Sequence, residues 1–135
     1  MEALGDKVGL SRNACWRRIK ALDQAGAIRR RVAILDAEML GLGLSVFIQI
    51  RTNSHSADWA KKFSEAMRDF PEILGAYRMS GDLDYLIRAR VADVAAYDRL
   101  YQRLIQKIEV SDVSASFVMR SPKVITELHT CTTPR

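Results

Sequence analysis

The chain has 135 residues, 48% of them hydrophobic, enough for one good core and a small second one. Its net charge of +5 is local: residues 1–35 carry eight Lys/Arg against three acids, while residues 36–135 carry thirteen of each, so a polyanion is drawn to one end only. Two distant cysteines, Cys15 and Cys131, no charged-then-apolar leader and no apolar run near the roughly eighteen residues of a membrane span argue against a disulfide framework, a zinc site, secretion and a membrane protein, and place the chain in a reducing cytoplasm.

Glu2–Val8 can form a short helix. Gly9-Leu10-Ser11 then supplies a stop, a buried anchor and an N-cap for a second helix from Arg12 to Ala25. Cys15, Ile19 and Leu22 recur at i, i+4 and i+7 as an apolar stripe, which makes Cys15 a core residue rather than a reactive thiol. Asn13, Trp16, Arg17 and Lys20 point the other way, with Arg12 in the first turn. An outer face of amide, aromatic ring and cations suits the major groove of double-stranded DNA, where Arg and Asn make paired hydrogen bonds to base edges. The DNA-contact candidates are Ser11, Arg12, Asn13, Trp16, Arg17, Arg18 and Lys20, with Lys7 and Arg29–Arg31 as further phosphate contacts; a solvated basic face with no partner is the alternative. Gly26 closes the helix, Val32–Leu35 reads as a strand, and Asp36 caps a helix-like element at Ala37–Leu40 that ends at Gly41 and Gly43.

From Leu44 one pattern is stated twice: strands Leu44–Arg51 and Ile73–Ser80 around helix Ser56–Phe70, then strands Asp84–Val91 and Asp112–Met119 around helix Asp93–Lys107. The order βαββαβ predicts a ferredoxin-like α+β domain with both helices on one face of an antiparallel sheet. The helix stripes expected to cover it are Ala60, Phe63, Met67 and Phe70, and Val94, Tyr97, Tyr101, Leu104 and Ile108. Strand alternation assigns Leu44, Val46, Ile48, Ile50, Tyr85, Ile87, Ala89, Val91, Val113, Ala115, Phe117 and Met119 to the covered face. On the opposite face Phe47, Leu74, Leu86 and Val118 stand among Ser45, Gln49, Arg78, Arg88, Ser114 and Ser116, too apolar for bare solvent. Face-to-face pairing in a homodimer, with Phe47, Leu74, Leu86 and Val118 at its interface, would hide them; Ser121–Thr130 folding back is the alternative cover.

Between the repeats, Gly81 permits a positive φ that turns backbone N–H groups toward a small anion, and Asp82 and Asp84 can accept hydrogen bonds from an ammonium group. Those two requirements describe an α-amino acid, although Asp and Gly are also ordinary turn residues. No catalytic residue, cofactor or metal site is expected: His55 and His129 have no base, nucleophile or ligand partner at useful spacing, and the two aspartates have no third acid beside them.

Val8-Gly9-Leu10-Ser11 with Arg18-Ile19-Lys20-Ala21-Leu22 and Gly26-Ala27-Ile28, followed by Ser80-Gly81-Asp82-Leu83-Asp84-Tyr85-Leu86, resembles the two signatures of the Lrp/AsnC family of feast-or-famine transcriptional regulators, in the right order over nearly the whole chain. The resemblance implies a winged helix-turn-helix at 1–35, here without the family's usual first helix but with a hinge strand, then a hinge at 36–43, a ligand-binding and dimerisation domain at 44–120 and a tail at 121–135. It also implies a DNA-binding regulator that dimerises, often assembles dimers into octamers, and holds an amino acid or related metabolite between dimers near Met79, Ser80, Gly81, Asp82 and Asp84, with Ser114 and Ser116 as further contacts. A stand-alone amino-acid sensor whose head needs a partner or reads nothing is the rival expectation.

Overall fold

The computed structural model describes residues 2–129; Cys131 lies outside them. The chain divides into two compact units, one ending at Leu35 and the other starting at Asp36.

The first unit is a helix pair, α1 (Glu2–Val8) and α2 (Arg12–Gln24). Ser11 is the N-cap of α2, its hydroxyl accepting from Ala14 N at 3.2 Å. The two helices meet at Gly5, whose carbonyl accepts from Leu10 N at 2.9 Å. A β-carbon there would lie 2.5 Å from the Leu10 carbonyl oxygen, so the crossing requires glycine. Cys15 beneath it is buried, as the stripe predicts. The remaining cover is thin: Leu4, Val8 and Leu22 are 40%, 55% and 50% exposed. At the far end Gly26 N and Ala27 N donate back to Asp23 O and Leu22 O, closing α2. The expected strand at Val32–Leu35 does not form. Val32, Ile34 and Leu35 are 70%, 74% and 68% exposed; a strand needs a neighbour, and among the described residues the first unit has no other strand to pair with this segment. Ala37–Leu40 is likewise a turn rather than a helix; the Asp36 carboxylate accepts from Glu38 N and Met39 N, and Leu42 N closes onto Ala37 O.

The second unit is the predicted βαββαβ domain: β1 (Leu44–Arg51), α3 (Ala57–Asp69), β2 (Ile73–Arg78), β3 (Tyr85–Val91), α4 (Val94–Lys107) and β4 (Asp112–Phe117). The sheet order is β2-β3-β1-β4, every pairing antiparallel. Ser56 and Asp93 cap the helices, accepting from Trp59 N and Ala96 N. Val46, Ile48 and Ile50 of β1 and Ile87, Ala89 and Val91 of β3 form the fully buried floor.

The helices bear on that floor largely through the predicted stripes: Phe63, Phe70, Leu104 and Ile108 are buried, and Met67, Tyr97 and Tyr101 are half-buried. The first residue of each stripe is the exception. Ala60 and Val94 are exposed, while Trp59, Ala66 and Leu100 are buried. Trp59 stacks on Phe63 at 5.2 Å, Phe63 meets Tyr85 at 4.3 Å, and the Trp59 indole N–H donates to Glu109 O at 2.7 Å. That polar tie explains how a Trp displaces an Ala from the core line. At the β4 edge Phe117 is 37% exposed, edge-on to Tyr97, and Met119 lies beyond the strand at 95%; neither joins the core as alternation predicts, since the sheet has no further strand to cover them.

Glu72 joins the α3–β2 corner to α4. Its Oε1 accepts from Arg103, whose guanidinium also lies 5.2 Å from the Phe70 ring centroid. Burial pushes the Glu72 carboxyl up, but the Arg103 hydrogen bond and charge, with a bond from its own backbone, outweigh it and hold the group below the ordinary carboxylate range. A lowered acid contributes stability that is complete above its unfolded pKa of about 4.3 and is lost as pH falls through the lower folded value. Urea melts of wild type and Glu72→Gln should therefore differ at pH 7 and converge in acid. The difference should not exceed about 1 kcal/mol, because the pair is partly solvated.

Candidate functional site

On α2, Ser11, Arg12, Asn13, Trp16, Arg17, Arg18 and Lys20 are all exposed, whereas Cys15 is buried and Ala14 and Ile19 are half-buried. Asn13, Trp16, Arg17 and Lys20 fall at i, i+3, i+4 and i+7 and form one stripe of the helix. The Lys20 ammonium sits 4.9 Å from the Trp16 ring centroid. Ser11 already uses its oxygen as the cap. Of the outlying cations, Lys7, Arg18, Arg29 and Arg30 are exposed, and Arg31 is paired with Asp23 at 3.3 Å. The stripe presents cations, an amide and an indole together, the groups that reach base edges and phosphates.

The turn at 79–84 is built around Asp84. Met79 N donates to Asp84 O, Asp84 N donates to Ile50 O, and Thr52 N donates to the Asp84 carboxylate, each at 2.9 Å. Asp84 is therefore half-buried and committed on one oxygen to the chain leaving β1. Asp82 is exposed, and its carboxylate has no hydrogen bond among the described residues. Ser80 and Gly81 are exposed, Met79 is 39% exposed, and Gly81 has φ 105°, a conformation a side chain would strain. The turn thus brings Met79, Ser80, Gly81, Asp82 and Asp84 together. Ser114 and Ser116 stand apart from it in the same chain, on β4, which β1 separates from β3. Ser114 Oγ donates to Gln49 Oε1 at 2.9 Å.

Sequence reasoning missed a second feature at this end of the sheet. Thr52, Asn53 and Ser54 face Glu109, Val110 and Ser111 across a cleft of about 180 Å³. Ser111 closes one side, its N and Oγ donating to Arg51 O. The run of hydroxyls at Thr52, Ser54 and Ser56 is its only local signal, because the two walls come from loops more than fifty residues apart.

On the open face of the sheet, Phe47, Leu86 and Val118 are half-buried and Leu74 is 55% exposed. Phe47 lies opposite Arg88 and Ser116, and Leu86 lies between Gln49 and Tyr77. A bulge between Ile73 and Gly75 resets the alternation of β2. It puts Tyr77, opposite Leu86, on the open face and Arg78, opposite Tyr85, on the helix side, reversing the assignment made for Arg78. Tyr77 covers Gly75, where its ring leaves no room for a β-carbon. The alternative cover fails: residues 121–129 form no helix or strand, and Val124, Ile125 and Leu128 are 80%, 56% and 88% exposed.

Among the described residues no group of three or more His, Cys, Asp or Glu could hold a metal ion, and no helix is long and apolar enough to cross a membrane.

Comparison with known proteins gives these features a context. The Lrp/AsnC ligand binding domain family matches residues 45–128, and a winged helix-turn-helix DNA-binding family matches residues 1–29. The glutamate uptake regulatory protein of Zymomonas mobilis is 46% identical over 123 residues, 91% of this chain and 75% of that protein. The DNA-binding transcriptional activator DecR of Escherichia coli is 42% identical over 129 residues, 95% and 85% of the two chains. Among solved structures, an AsnC family transcriptional regulator from Agrobacterium tumefaciens superposes with a TM-score of 0.85 at 53% identity, covering 93% of this chain and 82% of that one. A Neisseria meningitidis transcriptional regulator in complex with L-methionine also gives 0.85, at 33% identity, covering 93% and 81%. The βαββαβ domain, its Gly-Asp turn and the basic helix pair before it are thus those of a transcriptional regulator rather than an enzyme, and the chain belongs to the Lrp/AsnC family.

Proposed function

We propose that this chain regulates transcription in the cytoplasm by binding double-stranded DNA through α2, and that an amino acid held at the Gly81–Asp84 turn controls it. The observation that carries the reading is the exposed stripe of Asn13, Trp16, Arg17 and Lys20 on a helix whose other side buries Cys15 and half-buries Ala14 and Ile19. Lys7, Arg18, Arg29 and Arg30 supply the phosphate contacts. At the turn, Asp82 is the free carboxylate for an ammonium group and the backbone around Gly81 receives the carboxylate, while Asp84 holds the loop in place. The L-methionine complex of the Neisseria relative supports an α-amino acid as effector class. Two copies pair through Phe47, Leu86 and Val118, with Leu74 at the rim, and octamers are the higher assembly that family membership suggests. In such an assembly Ser114 and Ser116 reach the effector from a neighbouring copy, since they lie away from the turn in their own. Coupling of effector to DNA binding is then on the order of 1–3 kcal/mol.

A mobility-shift titration tests the reading, with duplex affinity falling steeply as salt rises. Arg17→Ala is expected to weaken binding by about 1–3 kcal/mol and to change base preference at one position. A uniform small loss across all sequences would move Arg17 from base reading to a phosphate contact.

The second reading, an amino-acid sensor with a head that reads nothing alone, is favoured by the exposure of Leu4, Val8 and Leu22 in the small unit. Amino-acid-dependent thermal shifts without any duplex binding at low salt would select it.

A further inference from the structure

We propose that Trp16 is a specificity-determining residue of the reading helix and that its indole takes the 5-methyl group of a thymine. The proposal rests on α2 being the DNA-reading element. Trp16 is 53% exposed in the middle of the stripe, three residues after Asn13 and next to Arg17. About half of the ring's surface is left in water, and that half is available for burial by a partner. The Lys20 ammonium lies 4.9 Å from the ring centroid, a cation–π contact that favours this placement of the indole before binding. The same contact sets a phosphate-seeking charge beside an apolar surface. In the major groove the base edges offer hydrogen-bond donors and acceptors, which an indole face cannot use, and one apolar feature, the thymine methyl, which it can. Asn13 and Arg17 on either side then read adenine and guanine edges, while Trp16 reads methyl against no methyl.

The experiment uses the full chain and a duplex selected by it from a randomised pool. Each thymine is replaced singly by uracil, which removes the methyl and leaves every hydrogen-bonding group in place. Wild type should lose about fourfold in affinity at one thymine per half-site, the value of one methyl group moved out of water. Trp16→Ala should bind that duplex more weakly and be indifferent to uracil there, while Trp16→Phe should keep part of the preference. Salt sensitivity should be unchanged in both variants, since no phosphate contact is removed. Equal uracil sensitivity in wild type and Trp16→Ala overturns the assignment, as does a uracil scan of the wild type with no sensitive thymine, which needs no variant to fold. A chain that selects no duplex and shows no salt-dependent binding overturns the DNA-reading role of α2, and this inference with it.

Discussion

Phe47→Lys is expected to abolish the proposed pairing of two copies without unfolding the protomer. Phe47 alternates with Val46 and Ile48, so its side chain lies on the face of β1 opposite the core, and Arg88 lies directly across from it on β3. A lysine here finds no counter-ion in that neighbour, and two-fold pairing would bury it twice. An unpaired charge trapped in an interface costs about 3–5 kcal/mol, so even one such site weakens dimerisation by roughly a hundredfold or more. Sedimentation equilibrium at micromolar concentration should show a dimer for wild type and a protomer for Phe47→Lys, with the same far-UV circular dichroism. Effector binding should weaken too if Ser114 and Ser116 act from a neighbouring copy. A wild-type chain that sediments as a lone protomer would sink the pairing of sheets altogether.

Asp84→Ala should lower stability and abolish the amino-acid response together, whereas Asp82→Ala should abolish the response alone. The Asp84 carboxylate is the acceptor for Thr52 N, and Thr52 is only 6% exposed, so water cannot readily replace it. Leaving that N–H unpaired costs about 1–3 kcal/mol, or roughly 4–8 °C in Tm per kcal/mol for a domain of this size. Asp84→Asn separates anchoring from direct contact. Its amide oxygen can accept from Thr52 N, so stability recovers in large part, and so does the response if Asp84 only holds the loop. Thermal melts with each of the twenty amino acids read both effects. An Asp84→Asn protein that is stable yet unresponsive would make Asp84 itself the ammonium partner, and an Asp82→Ala protein that still responds would remove Asp82 from the site.

Much of the second unit was legible because its signals are local. Ser56 and Asp93 cap helices where a hydroxyl or carboxylate precedes an apolar stripe, and the alternation of Val46, Ile48 and Ile50 locates the buried face of β1. Helix phase was legible except at the first residue of each stripe. Trp59 and Ala60 differ by one residue and 100° around α3, and the indole N–H of Trp59 finding Glu109 O fifty residues away selects the first. Likewise the bulge at Leu74 exists only in the pairing of β2 with β3, and it exchanges Tyr77 for Arg78 on the open face. Val32–Leu35 has the composition of a strand and no neighbour to pair with.

The turn shows the same division. Gly81 and two aspartates at a strand junction are the residue types on which the proposed anion-and-ammonium receptor rests. That Asp84 is the anchor and Asp82 the free group depends on Thr52 arriving from the end of β1, thirty-two positions earlier. Composition, charge placement and short-range periodicity were therefore enough to determine a basic helix pair and a repeated βαβ unit, since each is set by residues within a helical turn or a strand of one another. The tertiary structure alone decided that Trp59 rather than Ala60 enters the core, which side of the sheet each residue of the bulged strand faces and which aspartate stays free. Those outcomes depend on contacts between segments that are distant in sequence, and no local pattern encodes them.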